Sequence, residues 1–424
     1  MRAGFLTLLA LLGACALAGC HKAPHAPAPA WTFEPTARTI SAGIEGSQSG
    51  AGSANSAGRD PSVVVRASGE VFVLMVRPAA GGGADLVLVK SEDGGDHFSP
   101  ARVLNSDPGG VRSHLGGTPR LLLGPHSELY AVWAGQGGLR VARSTNYGKS
   151  FGAPANVPTG SRAPSFFDAK LTPTGALVIA WLGPVKGAPE DAGSWVSVME
   201  SEDGQTFGPP IAVAGHVCPC CRPALAADAH GRWYVAFRQI HDGARDIALA
   251  SSADHGRTWT SPTLVSNDNW RIDGCPHSGA ALAVAGEALY VAWYSQAEGT
   301  PRLYWTQKTL QATAFAPRRS LSADLLDANQ PSLSVEDGAV FAAFQARDPH
   351  SQKGWGPLGI YVRRLEGTEA PVRAPAGEGS AGSPELASLD AGRWLVLWTE
   401  RGQEGAVAMA RARRTPLHAP LNGP

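Results

Sequence analysis

The chain has 424 residues, with 36 Lys+Arg against 36 Asp+Glu, and only 17% of it is charged where about 25% is usual. A formal net charge of +0 leaves no basic face for a phosphate backbone, so nucleic-acid binding is set aside. The 51 glycines and 33 prolines suit many short strands joined by turns, which argues for an all-β chain.

Residues 1–19 read as a signal peptide, with Arg2 ahead of an apolar run from Phe5 to Leu17 that is too short to span a bilayer comfortably. The run ends in Leu17, Ala18, Gly19 and Cys20, which resembles the lipobox of bacterial lipoproteins. That resemblance implies cleavage before Cys20 and membrane attachment through a diacylated Cys20. An ordinary secretory cut near Ala16 or Ala18 is the alternative. By the same resemblance, His21 in place of Asp implies the outer membrane, with the chain facing the periplasm or the surface. Residues 20–58 then form a spacer rich in Pro, Ala, Gly and Ser, within which Trp31 to Ile40 could supply a closing strand.

From 59 to 415 one signal recurs, a β-rich apolar run ending in an aromatic or Met. It appears at Val71 to Met75, Leu129 to Trp133, Leu177 to Trp181, Trp233 to Phe237, Leu289 to Trp293, Val340 to Phe344 and Trp394 to Trp398. A short strand, often opening with proline, precedes each run, and no useful length of helical period interrupts the series. Four short antiparallel strands per unit, repeated around a ring, describe a single β-propeller. Seven units favour seven blades, with six as the alternative, and residues 416–424 form a tail.

A second phrase marks the turn after the third strand of the first four units. It comprises Ser91, Asp93, Gly95 and Phe98; Ser144, Asn146, Gly148 and Phe151; Ser201, Asp203, Gly204 and Phe207; and Ser252, Asp254, Gly256 and Trp259. The Asp or Asn can accept bonds from turn N–H groups, the Gly takes a positive φ, and the aromatic folds back into the apolar layer. This phrase resembles the Asp-box, or BNR repeat, of the sialidase superfamily, although the third copy is one residue short. The resemblance implies that the boxes are structural and lie on the face opposite the ligand side.

With Cys20 assigned to lipid, four cysteines of the mature chain remain: Cys218, Cys220, Cys221 and Cys275, accompanied by His216 and His277. Aligning the first strands of units four and five sets Cys218 on Cys275 and Cys220 on His277, while unit two offers His114 at the Cys218 position. Three readings stay open: structural disulfides, a zinc or copper site, and redox-active thiols.

The sialidase resemblance also implies an arginine trio for a carboxylate, a Tyr/Glu nucleophile pair and an acidic catalyst. The nearest matches are Arg222 and Arg238 for the carboxylate, Tyr294 as nucleophile with Glu298 or Glu400 beside it, and Asp273 or Asp60 as acid. Arg59, Arg77, Arg120, Arg162 and Arg347 fall on the same side. Two functions follow as expectations. One is an envelope-anchored module binding a protein or glycan on its ligand face. The other is an exo-α-sialidase-type hydrolase working from the same face.

Overall fold

The computed structural model describes residues 31–40, 58–114, 117–160, 164, 166–188, 193–375, 377, 379–390, 392–401 and 405–414. Cys20, Arg162 and the 1–19 and 416–424 segments lie outside them. The described strands form antiparallel units that repeat one order, laid out as six hydrogen-bonded sheets, one of them eight-stranded and holding two such units. Arg59–Val65, Val71–Pro78, Ala84–Ser91 and Arg102–Val103 make the first, and Ala224–Ala227, Trp233–His241, Ala244–Ser252 and Thr263–Leu264 make the fourth. The first strands follow one another around a central channel, and that of the last unit, Ser380–Asp390, lies against Arg59–Val65. The fold is a β-propeller.

Second strands read as unbroken apolar runs because both of their faces are covered by neighbouring blades. Val71, Val73, Leu74, Met75 and Val76 are all fully buried, as are Val235, Ala236 and Phe237 in the fourth blade. Separate apolar layers fill the spaces between successive blades, including the space between the last and the first. Closure falls to the N-terminal segment. Trp31–Phe33 and Arg38–Ile40 pair antiparallel with Ala406–Arg414, so one sheet is built from both ends of the described chain. Trp31, 2% exposed, meets Trp394 and Phe341 with ring centroids 5.6 Å away in each case. This joint covers the outer strand edge that an open sheet would present.

The Asp-boxes behave as their chemistry dictates. In the first, Ser91 Oγ accepts the Gly95 N–H at 2.7 Å, and Asp93 Oδ1 accepts the Asp96 and His97 N–H groups, each at 2.9 Å. Asn146 does the same for Ser150 at 2.9 Å, and Asp254 for Thr258 at 2.8 Å. The shortened third box keeps the arrangement, with Asp203 Oδ1 accepting Gln205 and Thr206 at 2.8 and 2.7 Å. Phe98, Phe151, Phe207 and Trp259 each pack into the layer between their own blade and the preceding one. Gly256 has φ +80, and a Cβ there would fall 2.3 Å from the Trp233 ring, so glycine is required on two counts.

These turns make acid stability a test of the boxes. Turn N–H and hydroxyl donors hold the carboxyls below their usual range: the His97 amide for Asp93, the Thr206 amide for Asp203, and the Thr258 hydroxyl for Asp254, which sits at about 2. A carboxyl with a lowered folded-state pKa contributes stability above its unfolded value near ~3.9 and loses it as pH falls through the folded value. Asp254→Asn retains the Oδ1 acceptor, as Asn146 does naturally, and removes the titration. Its urea midpoint should therefore drop less than the wild type's between pH ~6 and pH ~3. Equal acid losses in the two proteins would show that the box carboxylates are not the acid-sensitive element.

Candidate functional site

Each third strand ends opposite the start of the second, as in Trp233↔Ser252, so the boxes occupy one face. The loops leading into the first strands occupy the other, and two of them carry the cysteines. The loop of blade four is pinned early: the Cys218 N–H donates to the Arg238 carbonyl at 2.8 Å, and Gln239 Nε2 donates to the carbonyls of Gly215 and His216 at 3.0 and 3.1 Å. His216 itself takes φ +53 and is exposed.

The loop of blade five is carried to the same place by a hairpin. Asp242 and Gly243, with φ +46 and +78, form the tight turn that joins Trp233–His241 to Ala244–Ser252. This returns Arg245 and Asp246 to the end of the second strand. The buried Asp246 carboxylate accepts the Asn269 and Trp270 N–H groups at 2.8 and 3.0 Å, and the Arg245 N–H donates to the Trp270 carbonyl at 2.8 Å. Farther along, Gly279 lies so close to blade four that a Cβ would stand 2.0 Å from the Arg222 carbonyl oxygen. The two loops are thus locked together on either side of the sulfurs.

The sulfurs of Cys218, Cys220 and Cys275 all lie within 4.8 Å of one another. Cys218 and Cys220 are buried, with their sulfurs 3.5 Å apart, and Cys275 is exposed. A disulfide needs about 2.05 Å, and all four described cysteines are free thiols. Of the three readings, disulfides are not shown, since no sulfur pair stands at bonding distance; the blades are joined here by backbone bonds and by the fit at Gly279. Arg245 Nη1 donates to Cys218 Sγ at 3.2 Å. The neighbouring Cys220 and Cys221 thiols, with Arg245, hold the Cys218 thiol well below its usual range, while those two thiols are pushed up by their contacts with Cys218 and by burial.

Among the described residues no imidazole shares the 4.8 Å group of the three sulfurs. His277 Nδ1 is 2.9 Å from the Cys275 carbonyl oxygen, and the residue lines a small cavity beside Arg222. His114 packs against Phe166 at 4.7 Å between ring centroids, and Phe166 in turn covers Cys218, Cys220 and Cys221. Cys221 is fully buried beside Cys218 and Cys220 but is not one of the converging three. Neither Arg245 nor Phe166 stands out in the sequence; the signal that could have found Arg245 is the Asp242-Gly243 pair, a hairpin-turn dipeptide.

Among the described residues matched to sialidase roles, Arg238 and Tyr294 meet, through the Tyr294 backbone carbonyl. Arg238, 1% exposed, donates to the carbonyls of Ser278, Arg245 and Tyr294 at 3.0, 2.7 and 2.8 Å and lies over the Trp270 ring. Those bonds occupy the guanidinium. Tyr294 is half-buried against Trp270, its hydroxyl donates to Gln296 Oε1 at 3.4 Å, and burial raises its pKa, opposite to what a phenolate nucleophile needs. Glu298 accepts the Tyr304 hydroxyl, and Glu400 accepts the Gly377 N–H and Trp398 Nε1. Asp273 is exposed. Asp60 is buried and bonded by Arg59, Ser113 and Ser383.

The other ligand-side arginines face carboxylates of the chain itself. Arg77 faces Asp85, Arg347 faces Asp327, and Arg120 bridges Asp168 at 2.7 Å and Glu385 at 3.2 Å across the channel. Desolvation raises the Glu385 carboxyl, with Arg120 opposing. Arg222 reaches across to Thr118 Oγ1 at 3.2 Å, and among the described residues it has no carboxylate partner. It stands where a cavity of about 60 Å³ meets the channel cavity of about 510 Å³.

No protein-family model matches the chain, nor does any curated protein sequence. Solved structures do. A protein of unknown function from Dyadobacter fermentans is 17% identical with a TM-score of 0.51, the alignment covering 90% of this chain and all of that one. The likeness is one of fold. A NanB sialidase variant from Streptococcus pneumoniae is 12% identical over 90% of this chain and 71% of its own, with a TM-score of 0.43. The polysaccharide lyase Uly1 is 9% identical over 91% and 98%, with a TM-score of 0.49.

Proposed function

We propose that this chain is a binding module whose working element is a thiolate metal centre on the face opposite the Asp-boxes. The observation that carries the reading is the convergence of three sulfurs, delivered by two blades, within 4.8 Å. Thiolates are soft donors suited to zinc or copper, and a metal site needs its ligands on rigid supports. The bonds from Arg238, Asp246 and Gln239 supply that support. The module is held at the cell envelope by lipid on Cys20, with a protein or glycan partner on the same face. Hydrolysis of a sialoside is the weaker reading, because Arg238 is committed to backbone carbonyls and Tyr294 has neither Glu298 nor Glu400 beside it.

Protein purified without chelator should carry about one equivalent of zinc or copper per chain, as three converging sulfurs hold one ion. Cys275→Ser should lose that metal while keeping the wild-type circular dichroism. Metal analysis together with thiol titration decides the matter. Metal-free protein in which all four thiols react, or in which none does, would sink the proposal. Release of fluorophore from a methylumbelliferyl sialoside, lost in Arg222→Ala, would revive the hydrolase.

A further inference from the structure

We infer that the preferred ion is monovalent copper, held in a three-sulfur site by Cys218, Cys220 and Cys275, with the exposed Cys275 as the ligand through which it exchanges. This rests on the thiolate metal centre proposed above and names its cargo.

Ligand number comes first. Structural zinc sites close with four protein ligands, and catalytic zinc sites combine three with an open water position. Here three sulfurs converge; Cys221 lies beside Cys218 and Cys220 but outside the mutual group, and among the described residues no carboxylate or imidazole completes it. His277, two residues after Cys275, has Nδ1 engaged with the Cys275 carbonyl and lines the small cavity beside Arg222. A cuprous ion is satisfied by three thiolates in a plane and asks for no fourth ligand. Zinc in the same place would have to recruit water on the Cys275 side. Three thiolates also make a poor setting for acidifying that water, since they donate charge to the metal.

Charge and burial point the same way. A cuprous ion with three thiolates carries two negative charges, and Arg245 at 3.2 Å from Cys218 offsets one of them. Phe166 caps the buried side over Cys218 and Cys220, giving a dry wall that favours a soft, weakly hydrated ion. The opposite side is open at Cys275. An ion fixed by two buried sulfurs and released through one exposed sulfur suits transfer to an acceptor bearing its own sulfur donors, because the incoming ligand can replace Cys275 before the buried pair lets go.

The test is competition between the reduced full chain and bathocuproine disulfonate for copper(I) under anaerobic conditions, with zinc titrated in parallel. Wild type should withhold about one copper per chain and prefer it to zinc. Cys218→Ser, Cys220→Ser and Cys275→Ser should each weaken retention by more than about 100-fold, beyond the usual loss of an outer-shell partner, and Arg245→Ala by about 10- to 100-fold. Cys221→Ser should retain copper, and its retention shows that the loop still folds with a cysteine removed. A chain that holds zinc but surrenders all copper overturns the cuprous assignment and leaves the thiolate centre standing. A chain that holds neither metal removes both. A loss in Cys221→Ser equal to that in Cys275→Ser overturns the three-sulfur set.

Discussion

Arg238→Ala is expected to destabilise the fold by about 3–5 kcal/mol, because it removes three charge-assisted bonds worth about 1.5–3 kcal/mol each and water entering the space restores part of the loss. The side chain is 1% exposed, and its guanidinium joins the second strand of blade four to the Ser278 and Tyr294 carbonyls of blade five and to Arg245 in the adjoining strand. Removing it leaves those carbonyls facing each other without donors. Trp270 also loses the cation over its ring. Urea unfolding reads the effect directly. Arg238→Lys should recover only part of the loss, since an ammonium cannot match the fork that spans three acceptors. A substrate-binding arginine behaves differently: its removal impairs turnover and leaves the unfolding midpoint in place. An unchanged midpoint would therefore return Arg238 to the candidate catalytic set.

Gly279→Ala should damage both the fold and the proposed metal centre. The added Cβ would stand 2.0 Å from the Arg222 carbonyl oxygen and 3.2 Å from its amide nitrogen, and these are backbone atoms that cannot rotate aside. Relief requires the leading loops of blades four and five to separate, at a cost of about 2–4 kcal/mol, in the range of overpacking and steric strain. Separation also moves Cys275 away from Cys218 and Cys220, so metal retention should fall by at least about tenfold, as it does when a ligand's support is disturbed. Gly69→Ala is the control, since its Cβ would meet nothing within 4 Å and its positive φ costs only about 1 kcal/mol. A Gly279→Ala protein with wild-type metal content would show that the sulfurs do not depend on this contact.

Much of the architecture is legible in the sequence because it is set locally. The Asp-box bonds link residues within five positions of one another, so their chemistry is visible in a short phrase, even in the third box where a residue is missing. The second strands announce themselves because burial on both faces demands continuous apolar residues. The sulfur site was partly legible: aligning the blades brought Cys218 and Cys275 to equivalent positions, and their sulfurs do converge. The same alignment suggested His277 in the role of Cys220, yet that ring is engaged with the Cys275 carbonyl and is not in the group of converging ligands. Equivalent backbone positions do not fix side-chain direction when the loops differ in turn geometry, as the positive φ of His277 shows.

The arginines were the least readable feature. In sequence, Arg120, Arg222 and Arg238 look alike, three cations on the side of a propeller where ligands bind. In the folded chain one bridges two carboxylates, one crosses the channel to a threonine, and one is spent on backbone carbonyls. The sequence by itself determined the repeat, the turn chemistry and the rarity of charge, since each depends on contacts between near neighbours in the chain. Tertiary structure alone decided which sulfurs meet and which arginines are already satisfied. Both outcomes hang on contacts between blades, where partners distant in sequence are brought within bonding distance only when the ring closes.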